Sequence, residues 1–181
     1  MRQETLVKSN KVQAQVNSKS LVINAVCIAL TYVFTSMVNI RLPIGGSGGL
    51  IHLGNVPLFL AAILFGRKTG ALAGGIGMAF FDLLSGWTLW APFTFVIVGT
   101  MGYVVGAITE KHRGFMWNLG AMICACAIKI AGYYIAEGII YGNWIAPVMS
   151  IPGNLIQVGV AAVLVLPVAG YLKKIVSGIM G

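Results

Sequence analysis

The chain has 181 residues, 58% of them hydrophobic and 9% charged, with a mean hydropathy of +0.90 and a formal net charge of +8. Soluble domains carry roughly 25% charged residues, so the composition excludes a soluble enzyme or regulator and indicates an integral membrane protein. The positive charge does not point to nucleic acid, because the basic residues come in ones and twos beside apolar runs.

Residues 1–19 are polar and basic, with no apolar stretch before a cleavage site. They read as a cytoplasmic N-terminal segment, not a removable signal peptide. Apolar runs follow at 20–40, 55–66, 69–87, 92–108, 115–141 and 151–172. A hydrocarbon core about 30 Å thick takes roughly 20 apolar residues per helix, so these runs predict an all-α membrane protein of six transmembrane helices in a compact bundle. The bundle occupies 20–174, with 41–54 as an outer lid loop and 175–181 as a cytoplasmic tail. No soluble domain remains, so any energy source lies in other chains.

Charge sets the orientation. Arg2, Lys8, Lys11 and Lys19 precede the first run, Arg67 and Lys68 follow the second, Lys111 and Arg113 follow the fourth, and Lys173 and Lys174 follow the sixth, while only Arg41 falls on the opposite side. Both termini are therefore expected in the cytoplasm. The uncharged loops 86–91 and 142–150 carry Trp87, Trp90 and Trp144, which suit a headgroup-level aromatic belt or contact with a solute.

The second run is short. If Asn55 caps it and Pro57 lies in its first turn, it rises only about 17 Å before Gly66. The preceding loop must then descend toward the membrane, and irregular backbone at that depth is tolerated only against protein or a watery cavity. An outward cavity is expected, lidded by a loop whose Gly45, Gly46, Gly48 and Gly49 open backbone angles closed to other residues.

Polar residues converge on that level. Lys129, Tyr133 and Glu137 recur every four residues along the fifth run, close to one helix face. Lys129 and Glu137 stand about 12 Å apart along the axis, too far for a direct ion pair. Ionisable groups in a membrane are costly, and are functional candidates or structural ties. For Lys129 the structural alternative is a bridge to carbonyls or to Asp82. Asp82 ends the third run, Asn154 and Gln157 begin the sixth, and His52 and Asn55 flank the lid. Such a set suits a small polar ligand with several hydrogen-bonding groups, stacked on Trp87, Trp90, Tyr133 or Trp144.

No catalytic or metal site is expected. Cys27, Cys124 and Cys126 are odd in number and lie within helices, His52 and His112 stand apart, and no nucleotide-binding loop is present. The glycines between Gly70 and Gly77, with Gly102 and Gly106, read as close-packing surfaces between helices.

The series His52, Leu53, Gly54, Asn55, Val56, then Leu64, Phe65, Gly66, Gly70 and Ala71, then Asp82 to Gly86, Gly132, Tyr133, Glu137, and Ile151 to Gln157 resembles the substrate-binding S components of energy-coupling factor vitamin transporters. The likeness is to the branch assigned to hydroxymethylpyrimidine and pyridoxine, and covers about residues 20–172. It implies a subunit that captures a vitamin outside the plasma membrane of a prokaryote and works with a transmembrane T component and two cytoplasmic ATPases. This chain would hold no cofactor of its own, ATP and Mg being used by those partners. It also implies that Ala25 and Ala29, an alanine pair at four-residue spacing, dock on the T component; from spacing alone the pair reads instead as simple helix packing. Asn55 stands where relatives often carry an acid.

Three functions follow. The first is a substrate-capture subunit of an ATP-driven importer, with His52, Asn55, Asp82, Trp87, Trp90, Lys129, Tyr133, Glu137, Asn154 and Gln157 as binding residues. The second is a self-sufficient proton- or ion-coupled carrier using Lys129, Glu137 and Asp82. The third is a lipid-modifying enzyme, for which no nucleophile with a base at suitable spacing is present.

Overall fold

The computed structural model describes residues 2–37, 39–41 and 50–180, with side chains at 18–37, 39 and 51–179. The glycines of the lid loop lie outside the described residues. In chain order come α1 (Arg2–Met37), β1 (Asn39–Arg41), β2 (Leu50–His52), α2 (Asn55–Phe65), α3 (Arg67–Leu84), α4 (Ala91–Lys111), α5 (Phe115–Tyr141), a 3-10 helix (Ala146–Ser150) and α6 (Ile151–Met180).

Helix dominates, as expected for a chain whose backbone groups must be satisfied within each apolar segment. Four segments are long and apolar enough to cross a membrane: Ser18–Met37, Ala91–Lys111, Phe115–Tyr141 and Ala146–Ile179. The chain is thus a multi-pass membrane protein. Helix α2 is apolar but has 11 residues, and in α3 four glycines and three charged residues dilute the hydropathy of 18.

Two features differ from the sequence reading. The segment expected to form a lid is flanked by an antiparallel ribbon, Asn39 opposite His52 and Arg41 opposite Leu50; three-residue strands are too short to show a period of two in sequence. Helix also continues through both polar ends, from Arg2 and to Met180, because no glycine or proline stops α1 before Met37 and Pro167 interrupts α6 without ending it.

Helices α2 and α3 are joined through Gly66 alone, at φ 91°, an angle glycine adopts without steric cost. Glu110 at the end of α4 closes this turn. Its Oε1 accepts the Arg67 backbone N–H at 2.7 Å, and its Oε2 lies 3.5 Å from Arg67 Nε, placing a carboxylate at the positive end of α3.

The widest interface in the bundle is α3 against α4, and glycine makes it possible. A Cβ on Gly102 would run into the Gly70 carbonyl, and one on Gly70 would meet the Gly102 carbonyl at 2.7 Å, so the two backbones touch as the glycine pattern predicted. Around this seam lies the core of Leu58, Phe59, Met78, Val98, Met101, Met122 and Val165. The opposite face of α1 is open, with Val22, Val26, Leu30 and Val33 exposed, as suits a surface turned to lipid or to another chain.

Candidate functional site

The structure holds a cavity lined by His52, Asp82, Trp87, Trp90, Thr94, Lys129, Tyr133, Glu137, Tyr141, Ser150, Gly153, Asn154 and Gln157. Its empty space, open mouth included, is about 640 Å³. Each wall has a local origin. Helix α5 contributes one stripe, Lys129, Tyr133, Glu137 and Tyr141 at successive four-residue steps. Asp82 ends α3, the turn to α4 brings Trp87 and Trp90, and the first turns of α6 bring Gly153, Asn154 and Gln157.

The aromatic wall is a chain of edge-to-face contacts. Trp87 and Trp90 have ring centroids 6.3 Å apart at 63°, and Trp90 and Tyr141 lie 5.8 Å apart at 69°, arrangements favoured by the ring quadrupole. Rigid faces of this kind stack well on a flat ligand ring.

The polar groups are held from behind. Lys129 is 1% exposed, and its Nζ donates to Gln157 Oε1 at 2.9 Å and stands 5.8 Å from the Tyr133 ring centroid. It therefore ties α5 to α6 through an amide, not through a carboxylate. The Tyr133 and Thr94 hydroxyls lie 3.1 Å apart, fixing α5 to α4. Asp82 lies beside Thr94 on the same wall, and its Oδ2 is buried with no hydrogen-bond partner among the described residues. Ser150 sits within hydrogen-bonding reach of Glu137.

His52 enters from β2, outside the spanning helices, and is 9% exposed. The Gly54 backbone N–H donates to its Nδ1 at 3.2 Å, so the ring proton resides on Nε2 and the imidazole is a neutral donor. Burial, and secondarily the Lys129 ammonium, hold its pKa well below the ordinary 6.5.

Nine of the ten residues singled out from sequence as substrate-binding line this cavity. Asn55 does not: it lies within the first turn of α2, fully buried, with neither side-chain atom hydrogen-bonded. Nor does it cap the helix. The cap position is Gly54 and no side-chain bond is made there, because an Asn one residue inside the helix cannot reach back to the free N–H groups. Trp144 also stays off the wall, its carbonyl accepting the Tyr134 hydroxyl at 2.7 Å. Ala25 and Ala29 are exposed on α1.

Sequence reading missed Thr94, Tyr141, Ser150 and Gly153. Tyr141 extends the stripe of α5 by one more four-residue step, and Thr94 lies four residues after Trp90 on α4, so both were open to a stricter use of helical spacing. Ser150 belongs to a 3-10 turn that no periodicity announces. Among the described residues no cluster of histidine, cysteine and carboxylate is suited to a metal.

Fold and cavity together define a helical membrane protein with an open-mouthed cavity of mixed aromatic and polar lining. Residues 15–174 match the family model described as the ECF-type riboflavin transporter S component, and the chain belongs to that family. It is 30% identical over 148 residues to the thiamine precursor transporter HmpT of Lactococcus lactis subsp. cremoris (strain MG1363), covering 82% of this chain and 84% of that protein. It is 34% identical over 103 residues to the "uncharacterized protein in gap 3'region" of Pyrococcus woesei, covering 57% of this chain and 69% of that one.

Proposed function

We propose that this chain is the solute-capture subunit of an ATP-driven importer, and that it takes a small water-soluble vitamin precursor, foremost hydroxymethylpyrimidine, from outside a prokaryotic plasma membrane. The observation that carries the substrate choice is Asp82: a buried carboxylate oxygen lacking a hydrogen-bond partner, on the wall of an aromatic-lined cavity. An exocyclic amine on a flat ring supplies the donor such an oxygen needs, while the hydroxymethyl group suits Asn154, Gln157 or Ser150. Pyridoxine has the same ring size but no amine, and ranks second. The similarity to a thiamine precursor transporter supports the same order.

In this reading all six apolar segments cross or jointly cross the membrane, α2 and α3 forming two crossings joined at the basic Gly66 turn, with both termini cytoplasmic. The support is charge: Arg67, Lys68, Lys111, Arg113, Lys173 and Lys174 lie at the end of the bundle away from the cavity. Residues 20–174 form the binding domain, flanked by N-terminal and C-terminal cytoplasmic segments, with 41–54 as the lid. The partners are a T component, docked on the exposed Ala25 and Ala29 of α1, and two ATPases that use ATP and Mg.

The test is reconstitution in liposomes. The chain alone takes up no labelled hydroxymethylpyrimidine, and the chain with its T component and ATPases does so with ATP. Ala25→Trp or Ala29→Trp abolishes that uptake while purified binding persists. Uptake by the chain alone, driven by a proton gradient, would establish the carrier reading instead.

A further inference from the structure

A second cavity lies at the opposite end of the bundle, between the turn joining α4 to α5 and the last turns of α6. It is lined by Arg113, Gly114, Asn118, Lys173, Lys174 and Ser177, with Gly170 at its edge. From Asn118 to Glu137 along α5 is 19 residues, or about 28 Å of rise, close to the roughly 30 Å of a hydrocarbon core. The two cavities therefore sit at opposite interfaces, on the reading that these helices span the bilayer.

Three cations meet here, and the described carboxylate whose charge reaches them is Glu110, beside Lys173. Asp82 and Glu137 line the solute cavity, and Glu110 is engaged by Arg67 through both its oxygens. Lys173 donates to the Thr109 carbonyl at 2.7 Å, which anchors its ammonium at the site. Gly114 at φ 122° opens the N-terminus of the 27-residue α5 into the same space, adding the positive end of a helix dipole. The Asn118 side chain, 6% exposed, lines the same cavity and brings an amide to it.

Apolar groups flank these charges. Phe115, Met116 and Trp117 on one side and Tyr171, Ile175 and Ile179 on the other are 41% to 79% exposed. A cationic pocket continuous with lipid-facing apolar side chains fits a molecule that has both an anionic head and acyl chains. We infer that this cavity binds the phosphate headgroup of an anionic phospholipid, with Arg113, Lys173, Lys174 and the Asn118 amide as its ligands and the flanking side chains packed against its acyl chains.

The purified full-length chain in a neutral detergent is titrated by calorimetry with short-chain phosphatidylglycerol, with short-chain phosphatidylcholine and with inorganic phosphate. Phosphatidylglycerol is expected to bind saturably and at least about tenfold more tightly than phosphatidylcholine, with phosphate unable to displace it. At about fivefold per cation, the double variant Arg113→Ser with Lys174→Ser should weaken binding about 30-fold, whereas Lys68→Ser, an exposed cation elsewhere at that end, leaves it unchanged. Equal binding of the two lipids, displacement by phosphate, equal loss in Lys68→Ser, or wild-type affinity in the double variant each overturns the assignment. Should the double variant not fold, the headgroup preference of the wild type and the Lys68→Ser control decide the matter.

Discussion

Lys129 Nζ donates to Gln157 Oε1 at 2.9 Å, which joins the middle of α5 to α6 directly beneath the solute cavity. The pair is asymmetric. Removing the lysine takes a donor from a neutral oxygen, whereas removing the glutamine takes an acceptor from a buried ammonium. Lys129→Met should destabilise the ligand-free chain by about 1 to 3 kcal/mol, and Gln157→Leu by more, about 3 kcal/mol or above. Denaturant unfolding of the two purified variants checks the order; the reverse order would mean that the ammonium has another acceptor.

On the proposed function, Asp82 and Glu137 serve the ligand rather than the fold. Asp82→Ala, Glu137→Ala and Asn154→Ala should each cost about 1 to 3 kcal/mol of binding, or roughly 5- to 150-fold in Kd. Because one Asp82 oxygen already lacks a partner in the ligand-free chain, Asp82→Asn should leave thermal stability near wild type while weakening an amine-bearing ring. Calorimetric titration with hydroxymethylpyrimidine and with pyridoxine separates the effects, and an equal loss for both rings would remove the amine from the argument.

Asn55 gives a prediction of opposite sign. Its amide is 0% exposed with neither atom bonded, off the cavity wall, so Asn55→Leu, which keeps the branching at Cγ, removes an unmet desolvation cost. The variant should be more stable by about 1 kcal/mol or more and bind its solute unchanged. Thermal melting and titration of the same sample check both halves, and lost affinity would bring Asn55 into the ligand's path.

His52 makes the account dependent on pH. Its folded-state pKa is held down by burial and then by Lys129, so the unfolded chain binds the proton more readily. The stability of the neutral ring is therefore complete above about pH 6.5 and is lost as pH falls toward the depressed folded value, at about 1.4 kcal/mol per unit. Melting curves from pH 7.5 to 5 should show the decline, and His52→Gln should flatten it. A variant with the same slope as wild type would assign the decline to other groups.

The α3–α4 seam tolerates no side chain. Gly102→Ala would press a Cβ into the Gly70 carbonyl, where backbone cannot yield as a flexible side chain can, and should cost about 1 to 3 kcal/mol or abolish folding. Gly120→Ala, with open space around it, is the matched control on α5 and should be neutral or slightly stabilising by melting temperature.

Much of this was legible in sequence because a membrane leaves few alternatives. The bounds of α5 follow from Gly114 and Gly142, and the 11 residues of α2 from Asn55 and Gly66. The stripe of Lys129, Tyr133 and Glu137 was visible as four-residue spacing on one helix. What sequence could not supply was orientation across elements. Asn55 looked like a wall residue because it neighbours His52, yet the first turn of α2 carries it inward, away from the cavity. Ser150 entered the wall through a 3-10 turn, and the ribbon of β1 and β2 is too short to leave a pattern. Local spacing determines which face a residue shares, while tertiary packing determines what that face meets.

The central claim is that this chain by itself captures a small ring compound at Asp82 and Glu137. Calorimetric titration of the purified chain, without nucleotide or partner subunits, with hydroxymethylpyrimidine, pyridoxine, thiamine and riboflavin tests it most directly. The account predicts one saturable site per chain, tightest for hydroxymethylpyrimidine and greatly weakened in Asp82→Ala. Absence of binding to all four compounds, or binding unaffected by Asp82→Ala, would contradict it.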